Sequence, residues 1–171
     1  MSQKPIALYK LIILYMLDKA NFPLTGAQIS GFILEKEYTN FLTFQQAVSE
    51  LKDDSLITAR SVGNRTLLAL TDEGSRTLSF FQGRISDAIK VEIGDFFKEN
   101  GTEMKNESSV LTDYYKSTTG EYEARLIARE KNINLVDITL SVPTEESAAA
   151  ICDNWQRKNQ EIYQFLVEQL F

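Results

Sequence analysis

The sequence predicts an α+β protein built from two small parts. Helical patterns and one short β-hairpin fill residues 1–82, three alternating strand patterns and a long helix fill residues 103–171, and a connecting helix lies at 83–102. Residues 1–80 hold eight basic and eight acidic side chains, so 10 of the chain's 18 basic and 16 of its 24 acidic side chains belong to residues 81–171. Phosphate repels such an acidic part, which is therefore a poor candidate for nucleic-acid contact.

The first helix is predicted at Ile6 to Lys19. Pro5 suits its first turn, and Asn21-Phe22-Pro23 ends it. Its apolar residues lie on more than one side, which predicts a helix that is buried all round. The three-helix core of so small a domain covers one side, so we expect another subunit or the C-terminal half to cover the other.

Two shorter helices are predicted to follow. Thr25 is suited to cap a helix over residues 26–37, and Thr43 is suited to cap the third helix after a turn at 38–42. Each has an apolar stripe at helical spacing. The stripes are Ile29, Phe32 and Ile33 in the second helix, and Phe44, Ala47, Val48 and Leu51 in the third.

A β-hairpin and two further helices complete the N-terminal part and the connection. Residues 57–61 and 66–70 are β-prone, and Gly63-Asn64 between them suits the turn. Thr71 is suited to cap a fourth helix that has two carboxylates in its first turn. A helical pattern resumes after Gly83, the predicted boundary, with a stripe of Ile85, Ile89, Ile93 and Phe96, and Asn100-Gly101 is predicted to end it.

The C-terminal part is predicted to be a three-stranded antiparallel sheet covered on one face by a long helix. The strands are expected at 110–116, 122–129 and 136–142, with turns at Thr118-Thr119-Gly120 and Lys131-Asn132. In the second and third strands apolar and polar residues alternate, which indicates one buried and one wet face. The helix is capped by Thr144, and its predicted stripe is Ile151, Trp155, Ile162, Leu166 and Leu170.

Composition excludes several classes of site. The chain has no histidine, which removes the commonest general base and the usual zinc ligand. Cys152 is the only cysteine, so no intrachain disulfide forms, and its apolar neighbours predict a buried side chain. The apolar run at 6–17 is interrupted by Lys10 and is shorter than a membrane span, so we expect a cytoplasmic protein without a membrane partner.

The third helix and the hairpin resemble the recognition helix and wing of a winged-helix DNA-binding domain. The phrase Leu70-Thr71-Asp72-Glu73-Gly74, with Leu78 after it, is similar to the segment that follows the wing in many bacterial winged-helix repressors. The resemblance implies that helix 3 lies in the major groove and that the wing contacts backbone or minor groove. The DNA-binding residues would be Thr43, Gln45, Gln46, Ser49 and Lys52 on the helix, and Arg60, Asn64 and Arg65 on the wing.

Charge on the third helix limits this interpretation. Residues 43–55 carry Glu50, Asp53 and Asp54 against Lys52, a net charge of −2. Few phosphates would then be neutralised, which implies that one copy binds weakly and that two copies bind DNA together as a homodimer. The alternative is a winged helix that serves protein contacts or scaffolding and binds no DNA.

Three other candidate sites are weaker. Glu121 and Glu123 are two residues apart in a strand, so both are expected on the solvent-exposed face of the sheet. Solvated charges are commoner there than catalytic pairs. Gly26 to Gly31 lacks the lysine and the preceding strand of a phosphate-binding loop. Tyr114, Tyr115 and Trp155 could line a ligand pocket. Aromatic residues in such positions lie more often in the hydrophobic core, which is the interpretation favoured for these three. The sequence thus predicts no enzyme, no metal site and no cofactor.

The chain as a whole resembles an uncharacterised bacterial family, a domain of unknown function with an N-terminal winged helix and a C-terminal α+β extension. The resemblance rests on Phe44-Gln45-Gln46, Ser49-Glu50-Leu51, Leu56-Ile57 and the Leu70 to Gly74 phrase. It implies a DNA-binding transcriptional regulator. The C-terminal part would then serve dimerisation or sense an unknown small-molecule effector.

Overall fold

The computed structural model describes residues 6–62, 65–130 and 133–171. Within these residues the chain is α+β, with six α-helices and two three-stranded antiparallel sheets. It divides into two compact units, one made of residues up to Ser61 together with Arg65–Lys105, and one made of Asn106–Phe171 together with Val62. The predicted Pro5 start and the turns at Gly63-Asn64 and Lys131-Asn132 lie outside the described residues.

The first unit follows one order of elements. These are α1 (Ile6–Ala20), β1 (Leu24–Thr25), α2 (Gly26–Glu35), α3 (Phe41–Asp53), β2 (Ile57–Val62), β3 (Arg65–Leu70), α4 (Asp72–Phe81), a 3-10 turn (Gln82–Arg84) and most of α5 (Asp87–Ser109). Its sheet has the order β1-β3-β2. β1 was not predicted, because two residues are too few to show a strand period. Leu24 pairs with Leu68 and Thr25 with Leu67.

Helix α1 is the centre of the first unit. Every residue from Leu11 to Leu17 is buried, as the all-round apolar pattern predicts. α1 packs on α3, α4 and β3. Ile85 before α5, with Ile93 and Met104 of α5, belongs to the same core. The second side of α1 is therefore covered within one chain. The burial of α1 gives no reason to expect a second subunit.

The predicted cap of α3 and the predicted end of α5 are wrong. Thr43 does not cap α3, which begins at Phe41 after Asn40, whose side chain accepts a hydrogen bond from the Thr43 amide at 2.8 Å. Asparagine caps a helix at least as well as threonine. Capping at Asn40 also adds the exposed residues Phe41 and Leu42 to the start of the helix. Asn100-Gly101 does not end α5, which runs on to Ser109. One glycine in a helix costs only about 1 kcal/mol, so it does not force an end.

The other caps are confirmed. Thr25 forms a capping box with Gln28 at the start of α2, although α2 ends at Glu35 rather than at residue 37. Thr71 accepts a hydrogen bond from the Gly74 amide at the start of α4. Thr144 accepts one from the Ser147 amide at the start of the last helix. Each threonine satisfies an amide that the first helical turn leaves without a backbone partner.

The second unit is the predicted sheet with a helix across it. Its strands, β4 (Val110–Lys116), β5 (Tyr122–Glu130) and β6 (Ile133–Val142), lie in the order β4-β5-β6, and α6 (Glu145–Leu170) packs against all three. The alternating residues Tyr122, Ala124, Leu126 and Ala128 lie on the α6 side, as predicted. β6 begins three residues earlier than the pattern indicates.

The stripe predicted for α6 is only partly buried. Trp155 is fully buried, and Cys152 is buried as predicted from its neighbours. Ile162 and Leu170 continue the same face of the helix, yet they are exposed. The periodicity of the apolar residues identifies which face of α6 packs on the sheet. It does not show how far the sheet extends beneath that face.

Candidate functional site

Helix α3 presents one polar face to solvent. Phe44, Ala47 and Leu51 are buried in the core of the first unit, so the opposite face of α3 must point outward. The predicted residues on that face are exposed: Gln45, Gln46, Ser49 and Lys52. Thr43, at the edge of the face, is half-buried.

The exposed face of α3 also includes apolar residues that sequence reasoning assigned to a turn. Leu42 is 79% exposed and Phe41 is 53% exposed. Leu42 precedes Gln45, Gln46 and Ser49 by three, four and seven residues, so it shares their side of the helix. Considering Asn40 as the cap would have identified both residues as helical.

The approach to α3 is fixed by contacts with α5. Tyr38, between α2 and α3, donates a short hydrogen bond from its hydroxyl to Glu92 of α5. Its ring packs edge-on against Phe32 at 5.8 Å between centroids, and Phe32 contacts Phe96 at 4.8 Å. Burial, with the bond to Glu92, raises the pKa of Tyr38 well above its ordinary value. The hydroxyl therefore stays protonated and keeps donating at any physiological pH.

One of the three acidic residues of α3 is paired with α1. Glu50 lies 3.1 Å from the ammonium nitrogen of Lys10, and neither side chain is fully exposed. Adding Lys10 to the charge of residues 43–55 changes the local sum from −2 to −1. The remaining carboxylates, Asp53 and Asp54, lie at the C-terminal end of α3, about 10 Å along the axis from Gln46.

Both ends of the hairpin are tied to its neighbours. The Leu56 amide bonds to the Leu51 carbonyl at 3.0 Å, which joins the end of α3 to the start of β2. Thr71 donates from its amide to the Leu56 carbonyl at 3.2 Å and from its hydroxyl to the Ser55 carbonyl at 2.7 Å. Ile57 and Leu68 are buried in the core of the first unit. The hairpin is thus held in a fixed relation to α3.

The hairpin carries two exposed arginines. Arg60 is in β2, and Arg65 is the first residue of β3. Asn64, the third predicted wing residue, lies outside the described residues. The described part of the first unit thus offers an amide-bearing helix face and a guanidinium-bearing hairpin on one firmly connected scaffold.

The second unit shows no catalytic arrangement at the residues considered from sequence. Glu123 accepts a hydrogen bond from the Tyr115 hydroxyl at 2.7 Å, and Glu121 lies before β5 begins. Tyr114 and Tyr115 are exposed, so the expectation that they are core is wrong, whereas Trp155 is core. Burial raises the pKa of the Cys152 thiol, which keeps it protonated and unreactive.

Two kinds of feature are absent from residues 6–62, 65–130 and 133–171. No helix there is both long enough and apolar enough to cross a membrane. No three acidic or cysteine side chains in these ranges gather so that they could hold a metal ion.

Comparison with known proteins gives one match. The model of the family described as Domain of unknown function (DUF4364) matches residues 9–170. No curated protein and no solved structure matches the chain significantly.

Proposed function

Since the chain belongs to that family of unknown function, we propose a role from its own residues: it is a DNA-binding transcriptional regulator that acts as a homodimer. The first unit is a winged helix, in which α3 lies in the major groove and the β2–β3 hairpin contacts backbone or minor groove. The observation that carries the proposal is the exposed amide face of α3, held in a fixed relation to the arginine-bearing hairpin.

The order of elements supports a winged helix. Three helices precede a hairpin, and the short strand β1 between the first two helices joins the hairpin's sheet beside β3. The third helix buries one face and leaves the other to solvent. A recognition helix needs this arrangement, because its N-terminal residues must reach base edges while the rest of the domain stays outside the groove.

The side chains near the N-terminus of α3 suit base recognition. A glutamine amide can form two hydrogen bonds with adenine, which suits Gln45 and Gln46, and Ser49 can bond to several bases. The apolar side chain of Leu42 suits contact with a thymine methyl group. Asp53 and Asp54 lie at the other end of the helix, away from the N-terminal residues that would reach base edges.

The number of basic side chains supports binding by two copies. Lys52, Arg60 and Arg65 are the basic candidates of one copy, and three phosphate contacts give weak affinity at physiological salt. A homodimer doubles the contacts and reads two half-sites. The second unit would join the copies: residues 106–171 carry 11 acidic and 6 basic side chains, a net charge of −5, which makes them a poor candidate for contact with DNA.

Substitutions in the helix and in the hairpin should have different effects. Gln45→Ala and Gln46→Ala should each cost about 1–3 kcal/mol on the preferred sequence and relax the choice of base, because a bidentate contact is lost. Arg65→Ala should weaken binding to all duplexes alike and lower the salt slope by about one unit, because it removes a phosphate contact. Fluorescence anisotropy with preferred and scrambled duplexes measures both quantities.

The matched control is Gln160→Ala, which removes the same amide from an exposed position of α6 in the second unit. It should leave affinity and preference unchanged. Equal losses on every duplex for the glutamine and arginine variants would contradict the proposed division of roles.

The second candidate is a protein-interaction module without DNA binding. It is favoured by the exposure of Phe41 and Leu42, since adjacent exposed apolar side chains are common in protein contacts. This candidate requires that no duplex bind in a salt-dependent way. The two proposals are therefore separated by one titration against DNA.

A further inference from the structure

The turn between α2 and α3 is fixed where it leaves α2. The amide of Tyr38 donates to the Ile33 carbonyl at 3.1 Å. The amide of Glu37 donates to the Leu34 carbonyl, also at 3.1 Å. These two bonds close the end of α2 as a Schellman motif, with Glu37 in the left-handed region at a φ of 56°. That backbone conformation is unfavourable for a glutamate, so it persists only where the surrounding contacts hold it firmly.

The side chain of Tyr38 joins this turn to α5. Its hydroxyl donates to the Glu92 carboxylate, and its ring packs edge-on against Phe32 of α2. Phe32 in turn lies 4.8 Å from Phe96 of α5, measured between ring centroids. Tyr38 and Glu92 are both half-buried, so water competes less for their hydrogen bond than it would at the surface. Tyr38 is therefore held through its amide, its ring and its hydroxyl.

The first turn of α3 begins three residues after Tyr38. Asn40 caps this turn, because its side chain accepts from the Thr43 amide at 2.8 Å and its carbonyl accepts from the Phe44 amide at 3.0 Å. The two residues that follow Asn40 are exposed, and Phe44 is the first buried side chain of α3. The direction of the first turn is thus set by Tyr38 on one side and by Phe44 on the other.

We propose that Tyr38 is a positioning residue for α3. With its hydroxyl bound to Glu92, it holds the first turn in the direction that lets the helix reach base edges. Tyr38 acts through Gln45 and Gln46 and touches no base itself. The proposal deepens the proposed function and rests on it for the role of the two glutamines, whereas the positioning of the turn is a property of the free chain.

Hydrogen exchange of the free chain tests the positioning. Tyr38→Phe keeps the ring on Phe32 and removes only the hydroxyl, so the amides of residues 43–46 should exchange about tenfold faster. Amides in the middle of α1 should keep their rates, since the core of the first unit is intact. Equal acceleration in α1 and α3 would show a general loss of stability and overturn the proposal. Unchanged rates at residues 43–46 would overturn it as well.

Tyr115→Phe is the matched control, because it removes the same kind of bond from the second unit. The hydroxyl of Tyr115 in β4 donates to Glu123 of β5 at 2.7 Å. This variant should leave exchange at residues 43–46 unchanged. Faster exchange there in the control would show that the change does not come from the contact of Tyr38 with Glu92, and the proposal would fail.

Variants at Glu92 test whether the bond itself has this role. Glu92→Gln keeps an acceptor oxygen, so residues 43–46 should exchange within about twofold of their rate in the natural chain. Glu92→Ala removes the acceptor and should match Tyr38→Phe. The double variant Tyr38→Phe with Glu92→Ala should exchange no faster than either single variant, because both remove the same bond. Additive effects would overturn the pairing.

Titration against DNA separates positioning from the stability of the fold. In Tyr38→Phe, affinity for the preferred duplex should fall about fivefold, while affinity for scrambled duplexes and the salt slope stay unchanged, because the phosphate contacts of the hairpin are untouched. An equal loss on every duplex would overturn the role in base recognition. If the natural chain binds no duplex, the proposed function fails, and the exchange rates still decide whether Tyr38 positions α3.

Discussion

Replacing Trp155 by alanine is expected to lower the free energy of unfolding of the second unit by about 4 kcal/mol, the usual loss for a large buried aromatic side chain. Trp155 is 1% exposed and lies between α6 and the sheet, with Ala124, Leu126 and Cys152 in the same core. Its indole nitrogen donates to the Ile127 carbonyl at 3.1 Å. Truncation therefore removes both the packing that joins helix to sheet and a buried hydrogen bond.

Urea unfolding followed by far-ultraviolet circular dichroism measures this loss without relying on tryptophan fluorescence. Trp155→Phe is the matched comparison, because it keeps an aromatic ring and removes the donor. It should cost about 1–3 kcal/mol, the range for a buried carbonyl left without its partner and a smaller ring. A loss below about 1 kcal/mol for the alanine variant would contradict the central position assigned to Trp155.

Gly74→Ala is expected to cost about 3 kcal/mol, because no side chain fits at this point of the first unit. A Cβ atom at Gly74 would lie 2.0 Å from the Leu56 carbonyl oxygen and 2.9 Å from Cδ1 of Leu70. The Leu56 carbonyl cannot simply move, since it accepts hydrogen bonds from the amide and the hydroxyl of Thr71. These bonds tie the start of α4 to the base of the hairpin.

The control for this substitution is Gly94→Ala in α5. Gly94 is exposed, and an added Cβ would meet nothing within 4 Å. The helix should gain up to about 1 kcal/mol from alanine there. Thermal unfolding of both variants should therefore shift in opposite directions, and a Gly74 variant as stable as the natural chain would show that α4 does not pack so closely on the hairpin base.

Local patterns predicted most of the fold. The stripe of α3, the caps Thr25, Thr71 and Thr144 and the alternation of β5 each depend on neighbours within a few residues, and sequence contains that information. β1 was missed because a strand of two residues is formed by its partner β3. The end of α5 was misplaced because packing overrides a single glycine.

Features that depend on distant residues could not be predicted. Lys10 and Glu50 are 40 positions apart, so the sequence overstated the negative charge of α3. Tyr38 and Glu92 are likewise joined only by the fold. The exposed end of α6 has the same periodicity as its buried start, and only the extent of the sheet distinguishes them. The outward direction of Gln45, Gln46 and Ser49 was predicted, since it follows from the stripe on their own helix.

The proposed function depends on DNA binding by α3 and the hairpin. Its most direct test is selection from a library of random duplexes with the purified full chain at roughly 50 mM salt, followed by titration of the enriched duplex at increasing salt. We predict an enriched sequence with two related half-sites and an affinity that falls steeply as salt rises. Retention of no duplex, with no salt-dependent binding to any sequence, would contradict the claim and favour a protein-interaction module.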